Sequence, residues 1–328
     1  MKILVTGGAG YIGSFMITLL LEKGYEVVVA DNLSRGYKYA VNSKAEFIMG
    51  DLNKKDFVSS LFLKNEFGGI IHFAGYISMA ESMENPYIYF QNNFLAALNI
   101  IDEASKSKNI VPIIFSSTAG VYGNPLQIPI SENHPKNPTN PYGESKLMIE
   151  KTLSWYREIY GLSFVSLRYF NAAGASLDGK MGENHNPETH IIPNAIKSAI
   201  SNSEFILYGD DYKTKDGTCI RDYIHVLDLV EAHVLALEKL RRDEGGFFYN
   251  AGIGKGYSNR EVIDTIKKVS GIDFKVKIAQ RRPGDAERLV ADSTAINTEL
   301  GFKPKYSNIE TIVKTAFEWH KRNLKLKI

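Results

Sequence analysis

The opening residues restrict the fold more than any other part of the chain. A short apolar strand, Lys2-Ile3-Leu4-Val5-Thr6, runs directly into Gly7-Gly8-Ala9-Gly10-Tyr11-Ile12-Gly13, with Gly7, Gly10 and Gly13 spaced three apart. Glycines at that spacing let a backbone turn tightly against a pyrophosphate and set a helix N-terminus, with its free N–H groups, on the negative charge. An amphipathic helix over 11–23, stopped by Gly24, and a second strand over 26–30 follow, and that strand ends at Asp31. An acid roughly twenty residues beyond the first glycine is placed to hold a ribose 2′-hydroxyl. The opening therefore reads as a dinucleotide-binding turn, and Asp31 favours NAD, because a 2′-phosphate there would meet a like charge.

Strand-length apolar runs at 2–6, 26–30, 46–49, 69–73, 111–116 and 163–169 alternate with helical patterns near 11–23, 54–65, 86–107 and 141–160. Continuous rather than alternating apolarity in such strands signals a parallel sheet covered on both faces. Asn85-Pro86 and Asn140-Pro141 each set a capping residue before a proline at a first helical position. Beyond Tyr169 the pattern is less regular. Helices are expected near 191–201, 226–242, 258–270 and 307–322, with strands at 205–208 and 247–250. The predicted fold is α/β: a Rossmann-type doubly wound parallel sheet over 1–170, and a smaller C-terminal α/β lobe over 171–328 that returns some segments to the first. The ligand is expected in the cleft between them.

Bulk properties exclude several classes of function. A net charge of +2 is too near neutral to imply a nucleic-acid or membrane-surface partner. No run approaches the ~20 apolar residues of a membrane span, and a fold that begins at residue 2 leads us to expect no leader peptide. The single cysteine, Cys219, rules out an internal disulfide framework and fits a cytoplasmic address. His72, His134, His185, His190, His225, His233 and His320 show no metal-ligand spacing, so no metal is expected.

The candidate catalytic residues lie in the helix behind Asn140. Tyr142 and Lys146, four apart, share a helical face, so phenol and ammonium project into one space. A free phenol, with a pKa near ~10, is a poor base at neutral pH. A cation about 4 Å away at an effective dielectric of ~20 contributes roughly 4 kcal/mol, enough to make it more acidic. Phe115-Ser116-Ser117-Thr118 adds hydroxyls where a buried strand ends, and Thr118 is the one expected to assist proton transfer.

Five segments together carry a family resemblance: Thr6 to Gly13, His72-Phe73-Ala74-Gly75, Pro141 to Lys146, Leu167-Arg168-Tyr169-Phe170-Asn171, and Asp216 to Val226. In these the chain resembles the UDP-sugar 4-epimerases of the extended short-chain dehydrogenase/reductase family, from Met1 to about Lys321. The resemblance implies a seven-stranded parallel sheet, tightly held NAD, a UDP-sugar substrate and a homodimer built from two helices per subunit. The activity implied is interconversion of UDP-glucose and UDP-galactose through a 4-keto sugar, with a UDP-N-acetylhexosamine or UDP-glucuronate as the alternative main substrate. The cofactor would be held by Gly7, Gly10, Tyr11, Ile12, Gly13, Asp31, Asn32, Asp51, Leu52, Phe73, Ala74, Asn93, Ser116, Tyr142, Lys146 and Tyr169. The substrate would meet Thr118, Tyr142, Asn171, His190, Ile191, Tyr208, Arg221, Tyr223, Arg281, Asp285 and Leu289.

Three positions depart from the family pattern. Thr118 stands where serine is usual, Ile77 where some members carry lysine, and Leu289 at a gate that is bulky in hexose-restricted members and small in broader ones. Dehydratases of this fold place Asp-Glu after the threonine, where this chain has Ala119-Gly120, so water elimination lacks its proton carriers. A non-catalytic NAD-binding regulator would need neither Tyr142 nor Lys146.

Overall fold

In the computed structural model, residues 1–282 and 285–325 are described. The strands in chain order are β1 (Lys2–Thr6), β2 (Glu26–Asp31), β3 (Glu46–Met49), β4 (Gly69–His72), β5 (Ile113–Thr118), β6 (Phe164–Tyr169), β7 (Asn171–Ala173), β8 (Phe205–Tyr208), β9 (Ile220–His225), β10 (Gly246–Ala251), β11 (Gly256–Ser258), β12 (Val276–Ala279) and β13 (Arg288–Leu289). Seven of them form one sheet in the order β10-β6-β5-β4-β1-β2-β3, every pairing parallel.

Successive side chains of these strands divide between two cores. Ile3, Val5, Val27, Val29, Ile71, Ile114 and Val165 pack with the helices Tyr11–Glu22 and Val226–Arg242. Leu4, Val28, Ile70, Ile113, Phe115 and Phe164 pack with Lys55–Lys64, Ala96–Lys106 and Pro141–Tyr160. A pleated strand buried on both faces must be apolar throughout, which is why the expected strands read as continuous runs. The fold is the Rossmann-type doubly wound α/β architecture that was expected. Its chain order reverses between β1 and β4, and the crevice at the C-terminal ends of those strands is where such sheets bind ligands.

Several boundaries differ from expectation. The fifth strand starts at Ile113, not 111, because Pro112 has no N–H to offer the ladder, although its carbonyl accepts from Ile70. The strand runs on to Thr118 because Ser116, Ser117 and Thr118 continue the pairing with β6. The long helix expected over 86–107 is interrupted by a π-helical turn, Phe90–Leu95, that carries Asn93. Asn140 caps its helix as expected, accepting from the Gly143 N–H at 2.9 Å. The Asn85 side chain makes no cap bond, and its backbone N–H closes the preceding helix, Met79–Glu84, on Glu81.

The segment Val226–Ala251 returns to the central sheet, with β10 pairing β6 as its edge strand. The rest of the C-terminal half has its own core of Ile192, Ile196, Val262, Ile263, Ile266, Ile312 and Val313. It also holds the four-stranded sheet of β7, β9, β11 and β13. Among the described residues no helix is long and apolar enough to cross a membrane.

Candidate active site

The glycine turn is closed on itself. Gly7 has φ +69°, and a Cβ there would lie 2.5 Å from the Ala74 nitrogen; one on Gly13 would lie 2.4 Å from the Gly7 carbonyl oxygen. A side chain at Gly7 would push the turn off the end of β4, where Phe73 and Ala74 sit, and one at Gly13 would push the helix off the turn itself. Gly10 is the N-cap of the helix Tyr11–Glu22 and has no side chain to satisfy the first-turn N–H groups, which are left for a ligand. Asp31 ends β2 against this turn, one carboxylate oxygen accepting from Ala9 N–H at 3.0 Å and the other from Leu33 N–H at 2.8 Å. Burial raises its pKa, and these two bonds pull the other way. Each oxygen retains a lone pair for a hydroxyl donor. The cradle fits an adenosine diphosphate moiety.

Around this cradle the expected cofactor residues take different positions. Leu52 is buried, and its carbonyl accepts from Asn99. Asp51 accepts from both the backbone and side-chain nitrogens of Asn53, while Asn32 accepts from Ser34 N–H in an exposed turn. Tyr11 reaches across to donate to the Gly174 carbonyl at 2.6 Å, tying the turn to the C-terminal half. The Asn93 carboxamide is fully buried. It accepts from Tyr76 N–H at 2.7 Å and donates to the Tyr76 carbonyl at 3.0 Å and to Ser145 at 3.2 Å. It thus pins the loop after β4 to the helix Pro141–Tyr160.

Tyr142 is 8% exposed, so its phenol does not face bulk solvent. Thr118 Oγ accepts from Gly120 N–H at 3.0 Å. Burial pushes the Tyr142 phenol up, and hydrogen bonding with the Thr118 hydroxyl pulls it down. Lys146 follows Tyr142 by one helical turn and is anchored on β5. Its ammonium donates to the Ser116 carbonyl at 2.9 Å and lies 5.0 Å over the Phe115 ring. Burial brings Lys146 itself down to about 8. Burial, and then the Lys146 charge, keep neighbouring His72 neutral, near about 3. Tyr169, paired with His233, stands beside Tyr142, and Phe73 packs on His233 with ring centroids 4.9 Å apart.

Register brings the remaining candidates together. Asn171 on β7 pairs with Tyr223 on β9, and Leu289 on β13 pairs with Arg221 on β9. Leu289 also packs on the small cluster of Ala119, Val121, Tyr122 and Leu147, which places it against the turn after Thr118. Arg221 donates to its own strand at the Ile220 carbonyl and lies 4.0 Å from Asp285. Tyr223 is buried, and its hydroxyl has no partner. Arg281 is held differently. It pairs with Asp211 at 2.5 Å and stacks 3.9 Å over Tyr212, while Arg282 lies over the exposed Tyr208 and bonds Asp285. His190 and Ile191 stand at the start of the helix Ile191–Ser201.

Two arrangements escaped sequence reasoning. Glu150, on the same helical face as Tyr142 and Lys146, bonds Arg168 through both its oxygens, at 2.8 and 2.9 Å, and accepts from Ser117 and Ser166. Both members of this ion pair are almost wholly buried. The i+4 continuation from Lys146 was the only sequence signal for it. The second is a cluster of Glu183, His185, Glu188 and His190, whose ligand atoms lie within 4.8 Å of one another. The Glu-x-His-x-x-Glu-x-His pattern becomes a cluster only because the loop curls back on itself. Burial lowers His185, but Glu183 and Glu188 outweigh it and raise this group to about 10.

Comparison with known proteins gives a consistent result. Residues 3–252 match the model of the NAD dependent epimerase/dehydratase family. The chain is 45% identical to a UDP-glucose 4-epimerase of Lactobacillus helveticus over 326 residues, 99% of this chain and 98% of that one. A UDP-glucose 4-epimerase from Brucella ovis solved in complex with NAD superposes with a TM-score of 0.92 at 43% identity, covering 96% of this chain and 97% of that one. One from Bifidobacterium longum in complex with NAD+ and UDP gives a TM-score of 0.94 at 36% identity, covering 99% of both chains.

Proposed function

This chain belongs to the NAD dependent epimerase/dehydratase family, and from that premise we propose that it interconverts UDP-glucose and UDP-galactose by inverting C4 with NAD held throughout. The observation that carries the reading is the buried Thr118–Tyr142 pair, with Lys146 on the same helix, beside a glycine turn that fits a dinucleotide. In our assignment Gly7, Gly10, Gly13 and Asp31 hold the cofactor's adenosine diphosphate end. Lys146 lies toward its ribose. When bound, NAD supplies a reversible hydride acceptor for C4, so the overall reaction has no net redox change.

The chain's own residues manage the proton and the grip. Tyr142 takes the 4-hydroxyl proton and returns it once the sugar has presented its other face. Thr118 donates to the phenolate and so favours the charged form. Arg221 grips the diphosphate, which a planar guanidinium can bind through two oxygens at once, and the unpartnered Tyr223 hydroxyl gains a partner in the nucleotide. A firmly held nucleotide beside a lightly held hexose leaves the ring free to swing. Leu289, half-buried at the turn after Thr118, bounds the space for the sugar.

We assign the nucleotide-sugar lobe to residues 171–328, less the returning segment Val226–Ala251. An apolar face that includes Tyr87, Leu95, Trp155 and Ile159 is 39–69% exposed on neighbouring helices, and supports a homodimer. The buried free thiol of Cys219 fits a reducing compartment, the cytoplasm. The test is turnover of UDP-galactose by the purified protein, followed as UDP-glucose formed. Conversion that requires added NADH stoichiometrically, or none at all while NAD stays bound, rejects the reading.

A further inference from the structure

The loop between β7 and the helix Ile191–Ser201 gathers four metal-ligating side chains that the proposed reaction does not use as a set. One ligand atom from each of Glu183, His185, Glu188 and His190 lies within 4.8 Å of all the others. The two imidazoles face the two carboxylates through their Nδ1 atoms. His185 Nδ1 is 3.1 Å from Glu183 Oε1 and 3.8 Å from Glu188 Oε1. His190 Nδ1 is 2.5 Å from Glu183 Oε1 and 3.6 Å from Glu188 Oε1. Zinc–ligand bonds of about 2.0–2.2 Å give a tetrahedron with edges of about 3.3–3.6 Å; the separations of both imidazoles from Glu183 Oε1 are shorter than that, and those from Glu188 Oε1 lie at or just beyond its upper end.

Simple ion pairing leaves this cluster unfinished. Glu188 Oε2 is buried with no hydrogen-bond partner, on a side chain that is only 5% exposed. Lys197 approaches Glu188 Oε2 no closer than 3.7 Å, and Glu188 Oε1 is already taken by the N–H groups of Thr189 and His190. Buried polar atoms without partners are uncommon in native structures and often mark an ion. Two carboxylates match the charge of one divalent ion, which on binding displaces the protons of the two imidazoles, and imidazole with carboxylate suits zinc and its neighbours in the transition series.

We propose that Glu183, His185, Glu188 and His190 form a structural site for one divalent transition-metal ion. The four ligands close the coordination shell, which marks a structural rather than a catalytic site. The ion draws together a loop that touches three other parts of the molecule. Trp319 Nε1 donates to the Glu183 carbonyl at 3.1 Å, and the Tyr11 ring meets His185 edge-on at 6.4 Å. Asn194, in the helix that the loop feeds, donates to the Glu188 carbonyl. Metal in this position fixes the helix start at His190 and Ile191 relative to the glycine turn.

The test uses the intact protein with its cofactor, expressed without a histidine tag. After chelator treatment and gel filtration, it is titrated with zinc chloride, excess metal is removed, and bound zinc is measured by mass spectrometry alongside Tm. About one zinc per chain is expected, with a Tm several degrees above the stripped protein; magnesium at the same concentration should produce neither effect. His185→Ala and, as a milder change, Glu188→Gln should each retain less than about a tenth of an equivalent. Zinc absorption-edge spectroscopy on the wild type should report nitrogen and oxygen ligands that include two imidazoles. Wild type that retains no zinc, variants that retain as much as wild type, or a spectrum without imidazole each overturn the proposal.

Discussion

The two halves of the site are built by opposite means. Around Tyr142 everything is buried and tied to the central sheet: the helix is braced to β5 and β6 by Glu150 and Arg168, and Lys146 is anchored on Ser116. Around Arg221 the charges sit on short strands and loops, and neighbouring Arg281 is 42% exposed in its pairing with Asp211. Proton transfer depends on placement within a fraction of an ångström, so its groups lie where packing fixes them. Nucleotide capture requires cations to exchange partners, which a solvent-screened pair such as Arg281 with Asp211 allows.

If this contrast is right, four changes should fall on different observables. Tyr142→Phe should have the largest effect on rate, lowering kcat by about 10²–10⁴-fold with KM and bound NAD nearly unchanged; near-normal turnover would remove the base from the proposal. Arg168→Met should act first on stability. It leaves the Glu150 carboxylate buried and unpaired, at a cost of about 3–5 kcal/mol in chemical denaturation. Adding Glu150→Leu should recover most of that loss, and a double variant no more stable than the single one would show that the brace is not this pair.

Arg221→Ala should affect the other half alone. Loss of a charge-assisted bond of about 1.5–3 kcal/mol predicts a KM for the UDP-sugar raised roughly 10- to 150-fold at similar kcat. A fall confined to kcat would place Arg221 in the chemistry instead. Thr118→Val should be the mildest, with kcat down about three- to tenfold, as for one neutral hydrogen bond. Its pH profile carries the sharper information. The Thr118 bond lowers the phenol's pKa, so removing it raises that pKa, and the rising limb of kcat against pH should move to higher pH. An unmoved limb would mean that Thr118 does not touch the titrating group.

The legible parts of the site were those whose geometry is local. Asn140 and Pro141 start a helix wherever the chain goes, and Tyr142 and Lys146 then share a face by helical periodicity alone. The glycine turn is similar, since a positive φ at Gly7 is a property of a few consecutive residues. Short strands of mixed polarity gave no such signal, so β7, β9, β11 and β13 went unpredicted, and with them the register that sets Asn171 beside Tyr223 and Leu289 beside Arg221.

What the amino-acid sequence determined by itself was therefore the sheet's apolar strands, the dinucleotide turn and the helical pairing of phenol with ammonium, because each depends on contacts within a few residues. Only the tertiary structure decided the electrostatics. Lys146 was anchored on the Ser116 carbonyl, Arg168 closed on Glu150, and four side chains of one loop converged at a single point. A charge's effect depends on its burial and on which distant backbone atom lies nearest, and both are fixed only when separate elements pack together.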